Sequence, residues 1–310
     1  MSANPHYSLR AGDANDSAQC SSATATLLAG FRITRYSSKD MTKIKPWGSL
    51  FTTDTAGFIL NDCQRDKILS PWSKLVAELS HTCQKIWPTR LKRLYLRGSV
   101  PRGLAIPYLS DVDSFAILSG EITEQDHDRS QQISQKINQR YLFCKKVELI
   151  LLNEAIFTDP NSIWPGIIQT RSLQIARNSQ LLNLPRFKPG YSLLNYAQTW
   201  EKDRENTLAR LINLSPHSLQ FSAHVKQRCA WIMRRMVRTG FELVMERDRS
   251  YTPDLYYCYE RFSVYFPAQQ ANMKKALELA IEPSSNRPGL IIFLRCFGDW
   301  LTTQIQTELW

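Results

Sequence analysis

The sequence predicts an α+β protein in which an N-terminal α/β unit, built on a small mixed sheet, is followed by an all-helical unit. Three observations carry this. Three strand-like runs, "RLYLRG", "VDSFAIL" and "KKVELILLN", fall between residues 93 and 153, with helical spacing around them. After about Ser162 the apolar residues recur at three- and four-residue intervals in segment after segment. Turn clusters such as "SPHS", "SYTPD" and "EPSSNRPG" separate those segments.

Taken in order, residues 1–40 are rich in Ser, Ala, Thr, Asn and Asp without a helical or strand period, and read as a disordered tail. Met41, opening "MTKIKPWG", is a second candidate start. From Asn61 to Trp87 the residues Ile68, Trp72, Leu75, Val76 and Leu79 make one apolar stripe, so a helix is expected, ended by Pro88. The strand "RLYLRG" and a Gly/Pro-bearing turn lead into the strand "VDSFAIL". Residues 121–140 are polar, with Ile122, Ile133 and Ile137 spaced for one face, which predicts an exposed helix before the third strand. Helices are then expected over Ile163–Asn178, Leu193–Ile212, Ser218–Glu246 and Ala268–Ala280, and near Gly289–Leu309. The tyrosine-dense stretch Tyr251–Pro267 reads first as helical core, and second as a stacking surface for bases. The expected division is a tail over 1–40, an α/β unit over 41–160 and a helical unit over 161–310.

Composition narrows the function classes. The 310 residues are 43% hydrophobic and 22% charged, ordinary globular values, and leave room for a real core. The net charge of +11 favours an anionic partner such as nucleic acid, nucleotide or acidic lipid. Seven scattered cysteines, none at C-x-x-C spacing, and five histidines build neither a zinc site nor a disulfide framework. No apolar run approaches the roughly 18 residues of a membrane span. The expectation is a cytoplasmic protein with no membrane and no obligate protein partner.

The residues that bear chemistry lie in "LYLRGSVPRGLAIPYLSDVDSFAIL" (Leu94–Leu118). Asp111 and Asp113 are two apart, so in a strand they share a face with Phe115 and Ile117, at the strand's beginning. Two carboxylates held close repel unless a cation lies between them, and a divalent metal is a common answer. The plainer alternative is a rim where "SDVD" caps a turn. Upstream, Gly98 lets the backbone approach a ligand closely, and Ser99 offers a hydroxyl and an N–H to a phosphate oxygen.

An apolar strand, Gly-Ser, a short helical turn and D-x-D on the neighbouring strand resemble the motif of the nucleotidyltransferase superfamily (DNA polymerase beta-like), with some similarity to the antibiotic adenylyltransferases. The likeness covers residues 94–152. It implies that Gly98 and Ser99 bind the nucleotide's phosphates and that Asp111 and Asp113 hold two Mg²⁺ ions, with Mn²⁺ as the alternative. Arg102-Gly103 match positions where relatives carry a second small residue, and Arg102 is a candidate nucleotide contact. A third carboxylate is expected on the next strand, where Glu148 stands in "KKVELILL" as metal ligand, general base or both; a salt bridge to Lys145 or Lys146 is the structural alternative. The resemblance further implies a basic residue from a C-terminal helix on the triphosphate, for which Lys226, Arg234 and Arg235 are candidates.

Three functional expectations follow. The first is transfer of a nucleoside monophosphate, AMP from ATP foremost, to an acceptor hydroxyl, with RNA or tRNA as the acceptor class the positive charge favours. The second is an aminoglycoside-type antibiotic adenylyltransferase, favoured by Glu148 but poorly matched to a basic helical unit. The third is an inactive nucleotide-binding regulatory module, against which the intact Gly98, Ser99, Asp111, Asp113 and Glu148 argue.

Overall fold

The computed structural model describes residues 44–177, 183–217 and 219–309. The predicted tail and the alternative start at Met41 lie outside the described residues. The first helix, α1 (Trp72–Ile86), buries Trp72, Leu75, Val76, Leu79 and Cys83 along the predicted stripe. It begins later than expected, because residues from Asn61 onward run without helix up to Pro71.

Four strands form one mixed sheet in the order β3-β2-β1-β4. They are β1 (Leu91–Arg97), β2 (Val112–Leu118), β3 (Val147–Asn153) and β4 (Ser172–Arg177). β1 is antiparallel to both β2 and β4, and β2 runs parallel to β3 through the crossover helix α2 (Glu124–Arg140). Thr123 and Asp126 start α2 with a reciprocal capping box. Both faces of β2 are covered. Val112, Ala116 and Leu118 pack in the cluster that holds the α1 stripe and Ile133 and Ile137 of α2. Phe115 and Ile117 pack with Tyr95 and with Ile168 of α3 (Trp164–Arg171) on the other face. Burial of Phe115, fully inaccessible to water, contributes about 2–3 kcal/mol.

The helix expected over Ile163–Asn178 is corrected here. It stops at Arg171, and Ser172–Arg177 instead hydrogen-bonds to the open edge of β1. The sheet thus takes its fourth strand from beyond residue 160.

The remainder is helical: α4 (Trp200–Asn213), α5 (Phe221–Glu242), the single turn α6 (Met245–Asp248), α7 (Leu255–Tyr265), α8 (Gln270–Ile281) and α9 (Arg287–Glu308). α5 is the central strut, burying Val225, Cys229, Ile232, Met233, Met236 and Val237 in one core. α8 lies so close that a Cβ on Gly240 would stand 2.3 Å from Met273 Cε. Tyr251, Cys258 and Phe262 of the tyrosine-rich stretch belong to this core, and so do Phe51 and Ile59 from the segment before α1. No described helix is long and apolar enough to cross a membrane.

Candidate active site

At one end of the sheet the strand registers align charge. Arg97, the last residue of β1, stands opposite Asp113 of β2, which stands beside Glu148 of β3. Neighbours in register share a face, so the three side chains form one row across three strands. Farther along, the same face turns apolar through Tyr95, Phe115, Ile117 and Ile150. Arg97 Nη2 lies 3.6 Å from Asp113 Oδ1 and 3.7 Å from Glu148 Oε2, bridging the acids. Glu148 is half-exposed near the start of β3, and Lys146 Nζ donates to its Oε1 at 3.0 Å. Behind the row, the Ser114 hydroxyl donates to the Glu148 carbonyl at 2.6 Å and fixes β3 against β2.

Gly98 follows directly with φ of 82°. The backbone conformation favours glycine, and a Cβ at this position would lie 2.7 Å from Asp113 Oδ2 and displace that carboxylate. Ser99 precedes a 3₁₀ turn (Val100–Arg102), and its hydroxyl makes no capping bond. Asp111 is exposed, one residue before β2 begins. Burial pushes the Asp113 carboxyl above its ordinary pKa; the neighbouring Asp111 and Glu148 add to this, while Arg97 and Arg238 oppose it.

Arg97, Gly98, Asp111 and Asp113 face a cleft of about 360 Å³ between the sheet and the helical region; Glu148, one strand over from Asp113, does not line it. Gly98, Asp111 and Asp113 line one wall; Arg171, Tyr196, Arg234 and Arg238 line another, and Arg97, Arg102 and Lys145 complete its charge. Six cationic side chains thus meet two carboxylates. Arg238 is fixed by donating Nε–H to the Pro253 carbonyl at 2.9 Å, and its guanidinium lies 5.4 Å from the centre of the Tyr196 ring. Burial would raise the Tyr196 phenol's pKa, but the charges of Arg238 and Arg171, with Arg97, outweigh it and hold it below the ordinary value.

Of the basic residues anticipated from sequence, Arg234 alone reaches the cleft from α5 as a free wall residue. Lys226 is exposed more than two turns nearer the start of α5 and does not line the cleft. Arg235 turns aside to an ion pair with Asp203 and a hydrogen bond to Thr199. Arg102 is at the rim, but its guanidinium is committed to Asp254 through two bonds of 2.8 Å and to Asp62 at 3.1 Å. Ser99 adjoins the cleft without lining it. Sequence reasoning missed Arg97, Arg171, Tyr196 and Arg238 as members of this site. Arg97 had a signal: it precedes Gly98 and, by strand alternation, shares a face with Tyr95.

No protein-family model matches the chain, and no curated protein sequence does. Among solved structures, a spectinomycin adenyltransferase from Enterococcus faecialis, determined with ATP and spectinomycin, aligns with 75% of this chain and 98% of its own at 13% identity and a TM-score of 0.41. At that distance the site has to be read from its own residues.

Among the described residues no three His, Cys, Asp or Glu side chains are grouped so as to hold a metal by themselves. The donors fit a hard ion all the same. Mg²⁺ takes one or two carboxylates and completes its shell with water and phosphate oxygens, and Asp111 with Asp113 offers that pair at an open cleft. The upward pressure on Asp113 from its acidic neighbours is the repulsion that such an ion relieves.

Proposed function

We propose that the protein is a nucleotidyltransferase that moves a nucleoside monophosphate, AMP from ATP foremost, onto an acceptor hydroxyl. One observation carries the reading: Asp111 and Asp113, with Arg97 beside them and Glu148 next in register on β3, stand at a cleft whose facing wall is cationic. A triphosphate laid between the walls meets Arg234, Arg238 and Lys145, while the Gly98 backbone admits it close to Asp113. The acceptor oxygen attacks the α-phosphorus, the bond to the β-phosphate oxygen breaks, and pyrophosphate departs toward the arginines. The acceptor's proton passes to Glu148, directly or through water, while Arg97 and Lys146 fix the orientation of that carboxylate. A divalent ion bound by Asp111 and Asp113, Mg²⁺ or Mn²⁺ and as many as two, would supply Lewis-acid polarisation of the phosphoryl group. Ser99 is assigned a phosphate contact through its uncommitted hydroxyl, and Arg102 a positioning role. The catalytic unit is taken as residues 41–160 together with β4, and the helical unit as the acceptor side.

An aminoglycoside acceptor fits less well, since a polycationic drug would meet six cationic side chains in the cleft. The test uses the full chain with α-labelled ATP, Mg²⁺ and separate pools of RNA and small-molecule hydroxyl acceptors. The expected result is label on an acceptor and release of pyrophosphate, reduced at least about 1,000-fold in Asp113→Asn. Undiminished transfer by that variant refutes the reading.

A further inference from the structure

The face of α5 that leads away from the cleft carries a second feature. Arg238 and Arg234 line the cleft; Trp231, Arg228 and His224 follow toward the start of the helix at three- and four-residue intervals. Spacing of that kind puts all five on one face, over a length of about 21 Å. α5 has five Lys and Arg side chains against a single acid, Glu242, which is buried.

Trp231, in the middle of the stripe, is 39% exposed. Its ring is held by a stack: the Arg235 guanidinium lies 5.1 Å from the centre of Trp231 and 5.3 Å from that of Tyr196, whose other neighbour is Arg238 in the cleft. Asp203 anchors Arg235 in turn. An indole fixed in this way while still open to water is a platform, and every base has a face that can stack on one.

Beyond Trp231 the stripe enters a groove of about 470 Å³ between α4 and α5, walled by Arg210, Arg228 and His224. Neither arginine has an acidic partner among the described residues. Arg210 and Arg228 line the same groove, and burial, followed by the charge of Arg210, pulls the Arg228 pKa down. An anion between them removes that cost.

We propose that the acceptor is a single-stranded nucleic acid laid along α5, with its terminal hydroxyl in the cleft, a base on Trp231 and backbone phosphates on Arg210 and Arg228. This rests on the nucleotidyl-transfer reading for the chemistry at the cleft, but the binding track is a separate matter. A polyanion alone would need only the charges; an exposed aromatic set among them, one turn from the cleft wall at Arg234, is what bases require.

The test is equilibrium binding of fluorescein-labelled single strands of about twelve nucleotides, RNA and DNA versions of one sequence, to the full chain without ATP. Trp231→Ala is expected to weaken binding about tenfold, and Trp231→Phe to retain most of it. Arg210→Gln with Arg228→Gln is expected to reduce the slope of log K against log salt by about 1.4, two phosphate contacts on a single strand. Binding of a nonhydrolysable ATP analogue should be unchanged in these variants, which also reports that they are folded. Track-dependent binding of either RNA or DNA supports the proposal, and the preference between them shows which strand the track favours.

Strands that bind equally well to wild type and to both variants overturn it, as does dextran sulfate binding as tightly as the strands with no contribution from Trp231. The two readings separate cleanly. Track-dependent binding without label transfer removes the enzymatic reading and the acceptor role while leaving the binding track, whereas transfer to a small molecule with track-independent strand binding removes this proposal alone.

Discussion

Gly98 is where backbone and chemistry meet most tightly. Its φ of 82° is a conformation that costs other residues about 1–2 kcal/mol, and its missing Cβ leaves the space that Asp113 Oδ2 fills. Gly98→Ala is therefore expected to lower stability by about 1–2 kcal/mol while reducing transfer far more than that loss explains, because Asp113 must move. Thermal unfolding measured beside single-turnover transfer separates the two effects. At this scale the meeting of Gly98, Asp111 and Asp113 at one cleft was legible, since their spacing around the facing ends of two adjacent strands is a local pattern. Arg171, Tyr196 and Arg238 were not, because they enter the cleft through the packing of helices on the sheet. Lys226 and Arg235 show the converse, since neither lines the cleft. Basic density along α5 was evident, but which side of the helix meets the cleft depends on its rotation against the core, and Asp203 draws Arg235 away.

At the scale of elements, the start of α2 offers a clean test of pH dependence. Asp126 is 1% exposed. It accepts hydrogen bonds from the Thr123 backbone and hydroxyl and from Trp87 Nε1 at 2.8 Å, and Arg90 Nη1 donates to both of its oxygens. Burial alone would raise its pKa, but these donors outweigh it and hold the carboxyl well below the usual range. A depressed folded pKa gives stability that is present above the unfolded value of 3.8 and lost as pH falls below it. Asp126→Asn should cost about 3 kcal/mol at neutral pH and flatten the acid limb of the Tm–pH curve; an unchanged acid limb counts against the assignment. α2 itself was readable from its isoleucine spacing. β4 was not: "SLQIAR" is too short to announce a strand against the helical period before it, and its decisive partner, the edge of β1, is some eighty residues away in sequence.

For the molecule as a whole, Arg102 is the tie between its parts. Its bidentate pair with Asp254, its contact with Asp62 and its position 4.6 Å from the Phe51 ring join the turn after Gly98-Ser99 to the helical core and to the segment before α1. Ser49 adds a backbone N–H to Asp254 Oδ2 at 2.9 Å, and Phe51 one to the Tyr251 carbonyl at 2.8 Å. Arg102→Ala is expected to destabilise by about 3–5 kcal/mol by leaving Asp254 uncompensated, and Arg102→Lys to recover little, since one ammonium cannot reproduce the paired bonds. Denaturant unfolding of the two variants checks this; full recovery by lysine would argue against the bidentate geometry as the source. The broad plan of a sheet followed by helices was visible in the sequence because periodicity and composition change near residue 162. The tie was not, since Arg102 and Asp254 are 152 positions apart and nothing local joins them.

The late arrival of β4 has a bearing on how the chain is made. β1 lies inside the finished sheet, yet its partner on one side is translated only after the α/β crossover and α3 are complete. Until then a nascent chain carries an unpaired strand edge whose inner face is apolar. Pausing of the ribosome before β4 has emerged would prolong that exposure, whereas prompt elongation beyond Arg177 frees β4 to seal it. The open edge is thus a vulnerability of the growing protein that is absent from the finished one.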